Sequence, residues 1–251
     1  MENHKVVSKE EWLAARIEHL ASEKEFTRLR DQLSRQRREL PWVKVDKEYV
    51  FDGPNGKETL SELFAGRSQL LIYHFMFDPS WDEGCVSCSF WADNYNGIIV
   101  HLNHRDVTMV TVSRAPLDQL EAYRRRMEWS LKWVSSCETD FNRDYHVSFT
   151  AEDLDKGEAY YNYDGKAFSR VLSTGQRAWR MRLRSESEGA GISVFYKDKS
   201  ANVFHTYSCY ARGLDMLNGA YHFLDLLPKG RDEAGLPHPM AWVCRHDKYN
   251  D

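Results

Sequence analysis

Two short, dense apolar runs, Leu70–Phe77 and Val107–Val112, constrain this chain more than any other feature. Each is too short for a buried helix and too apolar for a half-exposed strand, so each reads as a strand covered on both faces. Pro79 ends the first run. The loop Ser80-Trp81-Asp82-Glu83-Gly84 then leads to Cys85. After it, Val86, Phe90, Trp91, Ile98, Ile99 and Leu102 can share one broad helix face before the second run begins. Strand, loop, helix, strand is a βαβ unit, which implies a parallel pair and a right-handed crossover.

The flanking segments fit round this unit. Ser8-Lys9-Glu10-Glu11 is a capping box that predicts a helix from there to about Glu39, stopped by Pro41. Its apolar positions Leu13, Ile17 and Leu20 give way to Phe26, Leu29 and Leu33 at a shifted phase. Such an arm packs on the main domain or on a second subunit, the latter making a homodimer through the N-terminal helix; its basic end at Arg35, Arg37 and Arg38 offers a nucleic-acid arm as the lesser alternative. Val43–Phe51 reads as an edge strand and Gly53-Pro54-Asn55-Gly56 as a turn. Leu60, Leu63 and Phe64 suit a short helix. Pro116 opens another helix, and Trp133-Val134-Ser135 a short strand. Residues 150–188, with Tyr160, Tyr161 and Tyr163 and an Arg cluster round Trp179, form an insertion. Ile192–Tyr196 and Val203–Tyr207 form a β-hairpin. Leu217, Ala220, Leu224 and Leu227 keep helical spacing up to Pro228, and a loop-like tail follows. The expected organisation is an arm over 1–41, a domain over 42–228 with the insertion at 150–188, and a tail over 229–251. The expected fold is α/β: a central mixed sheet flanked by helices, in which βαβ is followed by ββα.

The chemistry lies with cysteine. The net charge of −4 gives no basic excess for nucleic acid or for a membrane surface. No apolar run is long enough to span a bilayer, and the first residues lack the apolar stretch of a secretory signal, so a cytoplasmic location is expected. Five cysteines are an odd number for a disulfide scaffold. Only Cys85 and Cys88 are close in sequence. At a helix start, free N–H groups and the helix dipole favour the Cys85 thiolate and lower its pKa. Cys88, one turn later, can attack a mixed disulfide formed by Cys85. Cys85 is thus the candidate nucleophile and Cys88 the resolving thiol. Trp81, Asp82 and Glu83 are candidate supporting residues. Trp81 would shield the pair or dock a substrate, and a carboxylate would either oppose the thiolate or accept the Cys88 proton. A zinc site wants four ligands, usually as two close pairs. The other close Cys/His pairs are Cys244 with His246 in the tail and His101 with His104, which reads as a solvated helix face; His74 reads as a hydrogen-bonded core residue. No Walker A, G-x-S-x-G, H-E-x-x-H or G-x-G-x-x-G motif is present, so neither a cofactor nor a metal is expected.

Several strings together carry a family resemblance. They include Arg37-Arg38-Glu39-Leu40-Pro41-Trp42, Tyr73-His74-Phe75-Met76-Phe77 and Gly84-Cys85-Val86-Ser87-Cys88-Ser89-Phe90-Trp91-Ala92-Asp93. Val112-Ser113-Arg114-Ala115-Pro116, Trp133-Val134-Ser135-Ser136, Asp140-Phe141-Asn142-Arg143-Asp144 and Phe204-His205-Thr206-Tyr207-Ser208 add to them. Over nearly its whole length the chain resembles bacterial thioredoxin-like proteins described as predicted dithiol–disulfide oxidoreductases. The resemblance implies a thioredoxin-like fold, redox use of the Cys pair and a protein or small-molecule thiol or disulfide as partner. The segment Phe51–Leu63 and the strand after it look more distantly like peroxiredoxins. Peroxiredoxins place Thr or Ser three residues before the reactive Cys, where this chain has Asp82. Thioredoxins place Trp before the first Cys and Gly-Pro between the two, where this chain has Gly84 and Val86-Ser87. They also place a cis-Pro before the hairpin, where this chain has Gly189-Ala190-Gly191. Three readings stay open: a dithiol–disulfide oxidoreductase, a non-catalytic thioredoxin-like binding or structural module, and a thiol peroxidase.

Overall fold

The computed structural model describes residues 4–165 and 188–249. The chain divides into two compact units, Met1–Pro41 and Trp42–Asp251. The first is a single helix, α1 (Lys9–Arg38). Ser8 caps it reciprocally. Its hydroxyl accepts from the Glu11 N–H at 3.2 Å, and its own N–H donates to the Glu11 carboxylate at 3.0 Å. Acids in the first turn and arginines in the last complement the helix dipole. None of its residues is buried.

The second unit is built on one eight-stranded sheet in the order β1-β8-β7-β4-β5-β6-β2-β3. Its strands are β1 (Val43–Lys44), β2 (Val50–Gly53), β3 (Gly56–Thr59), β4 (Gln69–His74), β5 (Val107–Ser113), β6 (Lys132–Ser135), β7 (Gly191–Lys197) and β8 (Val203–Tyr210). β4, β5 and β6 are mutually parallel, β7 runs antiparallel to β4, and β8 runs antiparallel to β7. The central quartet β8-β7-β4-β5, with its βαβ and ββ halves, is the thioredoxin-like arrangement. Alternate residues of the dense runs enter opposite cores, as a doubly covered strand requires. Leu70, Ile72, Val110 and Val112 fill one face, whereas Tyr73, Phe75 and Met109 fill the other. Beyond His74 the chain leaves the β4–β7 ladder but stays buried, held by Phe75 N–H to Val112 O and Ala115 N–H to Phe77 O.

The helices of this unit are α2 (Val86–Tyr95), α3 (Ile99–His104), α4 (Leu117–Arg126), α5 (Phe141–Asp144), α6 (Ala151–Lys156) and α7 (Gly219–Leu224). Among the described residues, no helix is long and apolar enough to cross a membrane.

Three sequence expectations change here. Val43–Phe51 is not one edge strand. The polar Asp46-Lys47-Glu48 parts β1, at one edge of the sheet, from β2, next to the other edge. The helix after Cys85 is two helices, divided at Asn96-Gly97. The closing helix is also two pieces: a 3-10 helix over Ala211–Leu217 and then α7, started by Asn218, whose side chain accepts from the Tyr221 N–H at 3.1 Å. Of the 150–188 segment, α6 carries its own capping box from Thr150. The Arg cluster round Trp179 lies outside the described residues.

Candidate active site

The C-terminal ends of parallel strands are where a thioredoxin-like sheet presents its loops. β4 delivers Phe75–Gly84 to that end, and Cys85 is the N-cap of α2. The Cys85 N–H donates to Met76 O at 3.1 Å, and its carbonyl accepts from the Ser89 N–H at 3.0 Å. Gly84 must be glycine: a Cβ there would lie 2.7 Å from the Phe75 ring. Cys85 is half-buried and Cys88 buried. The Cys85 thiol reaches Cys88, and burial, first of all, pushes the Cys88 thiol well above its ordinary pKa. The Met76 N–H points at the Cys88 sulfur at 3.5 Å, and the Tyr73 hydroxyl donates to the Cys88 carbonyl at 3.3 Å.

The supporting candidates divide. Trp81 is half-buried against the same core cluster, and its carbonyl accepts from the Gln119 side chain. Asp82 is exposed. Glu83 bonds the guanidinium of Arg126 and pairs with Arg245 at 2.8 Å. The Arg126 hydrogen bond holds its carboxyl below the usual carboxylate range.

Sequence reasoning missed the groups that surround this turn. The tail, read as loop-like, folds back onto it. Arg245 donates through Nη2 to Gly84 O at 2.7 Å and through Nε to the Tyr123 hydroxyl at 2.8 Å. Asp247 takes a two-pronged ion pair from Arg126 at 2.7 and 3.1 Å, and His246 contacts Asp93 at 2.7 Å. Further back, Glu233 pins the tail by accepting from the Tyr221 hydroxyl, the Met240 N–H and the Trp242 indole. The local sequence signal was thin: an Arg-His-Asp run in the tail and an Arg run at the end of α4.

A second charged group lies at the same end of the sheet, because His74 at the end of β4 pairs with Gly191 at the start of β7. Glu188, just ahead of β7, is buried. It accepts from Arg114 and from the Ser148 hydroxyl, each at 2.7 Å. Arg114 also faces Asp78 at 3.5 Å. Burial pushes the Glu188 carboxyl up to about 7, against the pull of Arg114 and Ser148.

The remaining polar candidates are elsewhere. His74 is the core histidine expected, bonded to Ser193 at 2.8 Å. A chain through Ser208 continues to His205. Burial lowers the His74 pKa to about 3. His101 and His104 are exposed on α3. Among the described residues, no group of three or more His, Cys, Asp or Glu is arranged to hold a metal.

The strand order and the parallel crossover define a thioredoxin-like fold. The chain belongs to a bacterial family described as "Bacterial protein of unknown function (DUF899)", whose profile matches residues 1–249. No curated protein matches it. Among solved structures it is similar to the peroxidoxin BcpB of Mycobacterium tuberculosis, at 9% identity and a TM-score of 0.43, over 71% of this chain and 93% of that one. It is also similar to a PrxQ variant of Xylella fastidiosa, at 9% identity and 0.40, over 70% and 89%. A third is a Chlorobium tepidum protein described as a candidate thiol:disulfide interchange protein DsbE, at 11% and 0.40, over 71% and 95%. The strand order, rather than these likenesses, defines the fold.

Proposed function

We propose that this chain is a dithiol–disulfide oxidoreductase with Cys85 as nucleophile and Cys88 as resolving thiol. One observation carries the reading: the more accessible thiol belongs to the N-cap residue of a helix, and a buried second thiol touches it one turn inward. The helix N-terminus favours an anion at Cys85. That thiolate attacks a substrate disulfide, the substrate S–S bond breaks, and the departing sulfur takes a proton. Burial keeps Cys88 protonated until the mixed disulfide forms. Cys88 then loses its proton, attacks the Cys85 sulfur and expels the second substrate thiol. The substrate gains two electrons, and the pair is left as a disulfide that a thiol donor reduces again. Cys85→Ser abolishes turnover of a disulfide substrate, and Cys88→Ser accumulates the mixed disulfide. Full turnover in Cys85→Ser would leave only the binding-module reading. Peroxide consumption with over-oxidation of Cys85 would favour the peroxidase.

The arm supports a homodimer. Leu13 and Ile17 lie on the face of α1 opposite Phe26, Leu29 and Leu33, since 3.6 residues make a turn. These five are 49–65% exposed. Such unburied apolar patches fit a second copy of the chain, which offers the same patches in return. Leu29→Glu with Leu33→Glu converts a dimer to a monomer in sedimentation velocity. A wild-type monomer would refute the dimer.

A further inference from the structure

The hydrogen bonds around Cys85 have only one consistent direction. Arginine can only donate, so in the contact between Arg245 Nε and Tyr123 the phenol oxygen accepts. The Ser89 hydroxyl donates to Cys85 O at 2.9 Å, so in its 2.9 Å contact with Tyr123 the phenol is the donor. Protons therefore run Arg245 to Tyr123 to Ser89 to the Cys85 carbonyl. The same guanidinium also holds the carbonyl of Gly84. Both peptide carbonyls flanking the Cys85 amide and side chain thus lead back to one side chain of the tail, more than a hundred residues away.

We propose that Arg245 is the positioning residue of the Cys85 thiol, so that the C-terminal tail completes the site. The proposal rests on reading Cys85 as the reacting thiol. Arg245 fixes the two peptide groups that aim the sulfur, and it brings a cation to the turn that must hold a thiolate. Its side chain is 16% exposed and is pinned from its other side by Glu83. The charged and titratable groups facing this turn include Glu83 on the loop, Tyr73 on β4, Tyr123 and Arg126 on α4, Arg245, Asp247 and Lys248 on the tail and Cys88 on α2. Glu83 and Asp247 face Arg126, Arg245 and Lys248, so removing Arg245 alone takes away the turn's excess of positive charge. Lysine carries the charge but not the planar fork that serves Gly84 and Tyr123 together.

The test is the rate of Cys85 alkylation by iodoacetamide against pH, in the full chain with the exposed Cys137 and Cys244 changed to Ser and the product mapped by mass. Arg245→Met raises the pH midpoint by about one unit and slows alkylation at neutral pH about tenfold, because only the thiolate reacts. Arg245→Lys restores most of the midpoint. Tyr123→Phe cuts the relay while keeping the ring, and lowers the rate about threefold with little change in midpoint. A folded Arg245→Met protein with the parent midpoint and rate overturns the proposal. If that variant fails to fold, a parent alkylation rate in Tyr123→Phe overturns it instead. Alkylation needs no disulfide chemistry. A Cys pair that never oxidises would therefore sink the oxidoreductase reading alone, and an unmoved midpoint would sink the Arg245 assignment alone.

Discussion

Glu83 and Glu188 sit at the same end of the sheet, each bonded to an arginine, yet their carboxyls are driven in opposite directions. Glu83 is more than a third exposed, and the hydrogen bond from Arg126 draws its pKa down. Glu188 is 3% exposed, and burial drives its pKa up to about 7 although Arg114 is 2.7 Å away. The partner is the same in kind, so solvent decides. At the rim, water already stabilises the charge and the arginine adds to it. In the interior, the arginine and Ser148 offset only part of the desolvation. The two groups therefore serve differently. The Glu83 group holds the loop before Cys85 in a defined shape at little energetic cost. The Glu188 group ties the start of β7 to the ends of β4 and β5 and makes their junction sensitive to pH.

The largest test of this contrast removes the buried cation. Arg114→Met leaves Glu188 without its arginine and costs roughly 3–5 kcal/mol where the carboxylate is charged. The loss is larger at pH 8 than at pH 5, where Glu188 takes up a proton. Urea unfolding at the two pH values measures it, and equal losses would remove the contrast.

Next comes the pH slope itself. The folded Glu188 pKa lies above its ordinary value of 4.5. Its contribution is therefore fully present below pH 4.5 and is lost as pH rises through about 7. The shift corresponds to roughly 3 kcal/mol. Glu188→Gln keeps the shape and flattens that part of the stability profile. An unchanged slope in the variant would place the titration elsewhere.

The smallest effect belongs to the rim. Glu83→Gln costs under about 1 kcal/mol, because exposed pairs are weak and screened. Its sign is reversed. The folded pKa is depressed, so the contribution is present above the ordinary carboxylate pKa and fades as pH falls below it. Denaturation with and without 1 M salt separates the two glutamates: the rim pair weakens with salt and the buried one holds.

The same contrast explains what the sequence disclosed. The βαβ unit, the hairpin, the capped α1 and the adjacency of Cys85 to Cys88 rest on patterns within a few residues, where periodicity and capping act. Arg245 meets Tyr123 across 122 residues, and Glu188 meets Arg114 across 74. No local pattern encodes such pairs. Even so, the breaks that were misread had local causes. Asp46-Lys47-Glu48 interrupts the Val43–Phe51 run, and Asn96-Gly97 interrupts the helix after Cys85. In each case the apolar residues on both sides masked a polar gap.

The most direct test of the account is the redox equilibrium of Cys85 and Cys88. The protein is equilibrated in graded glutathione buffers, alkylated and mapped by mass. The account predicts a reversible two-electron transition that joins these two sulfurs, at roughly −200 to −300 mV. A pair that stays reduced throughout, or a disulfide that joins other cysteines, would contradict it.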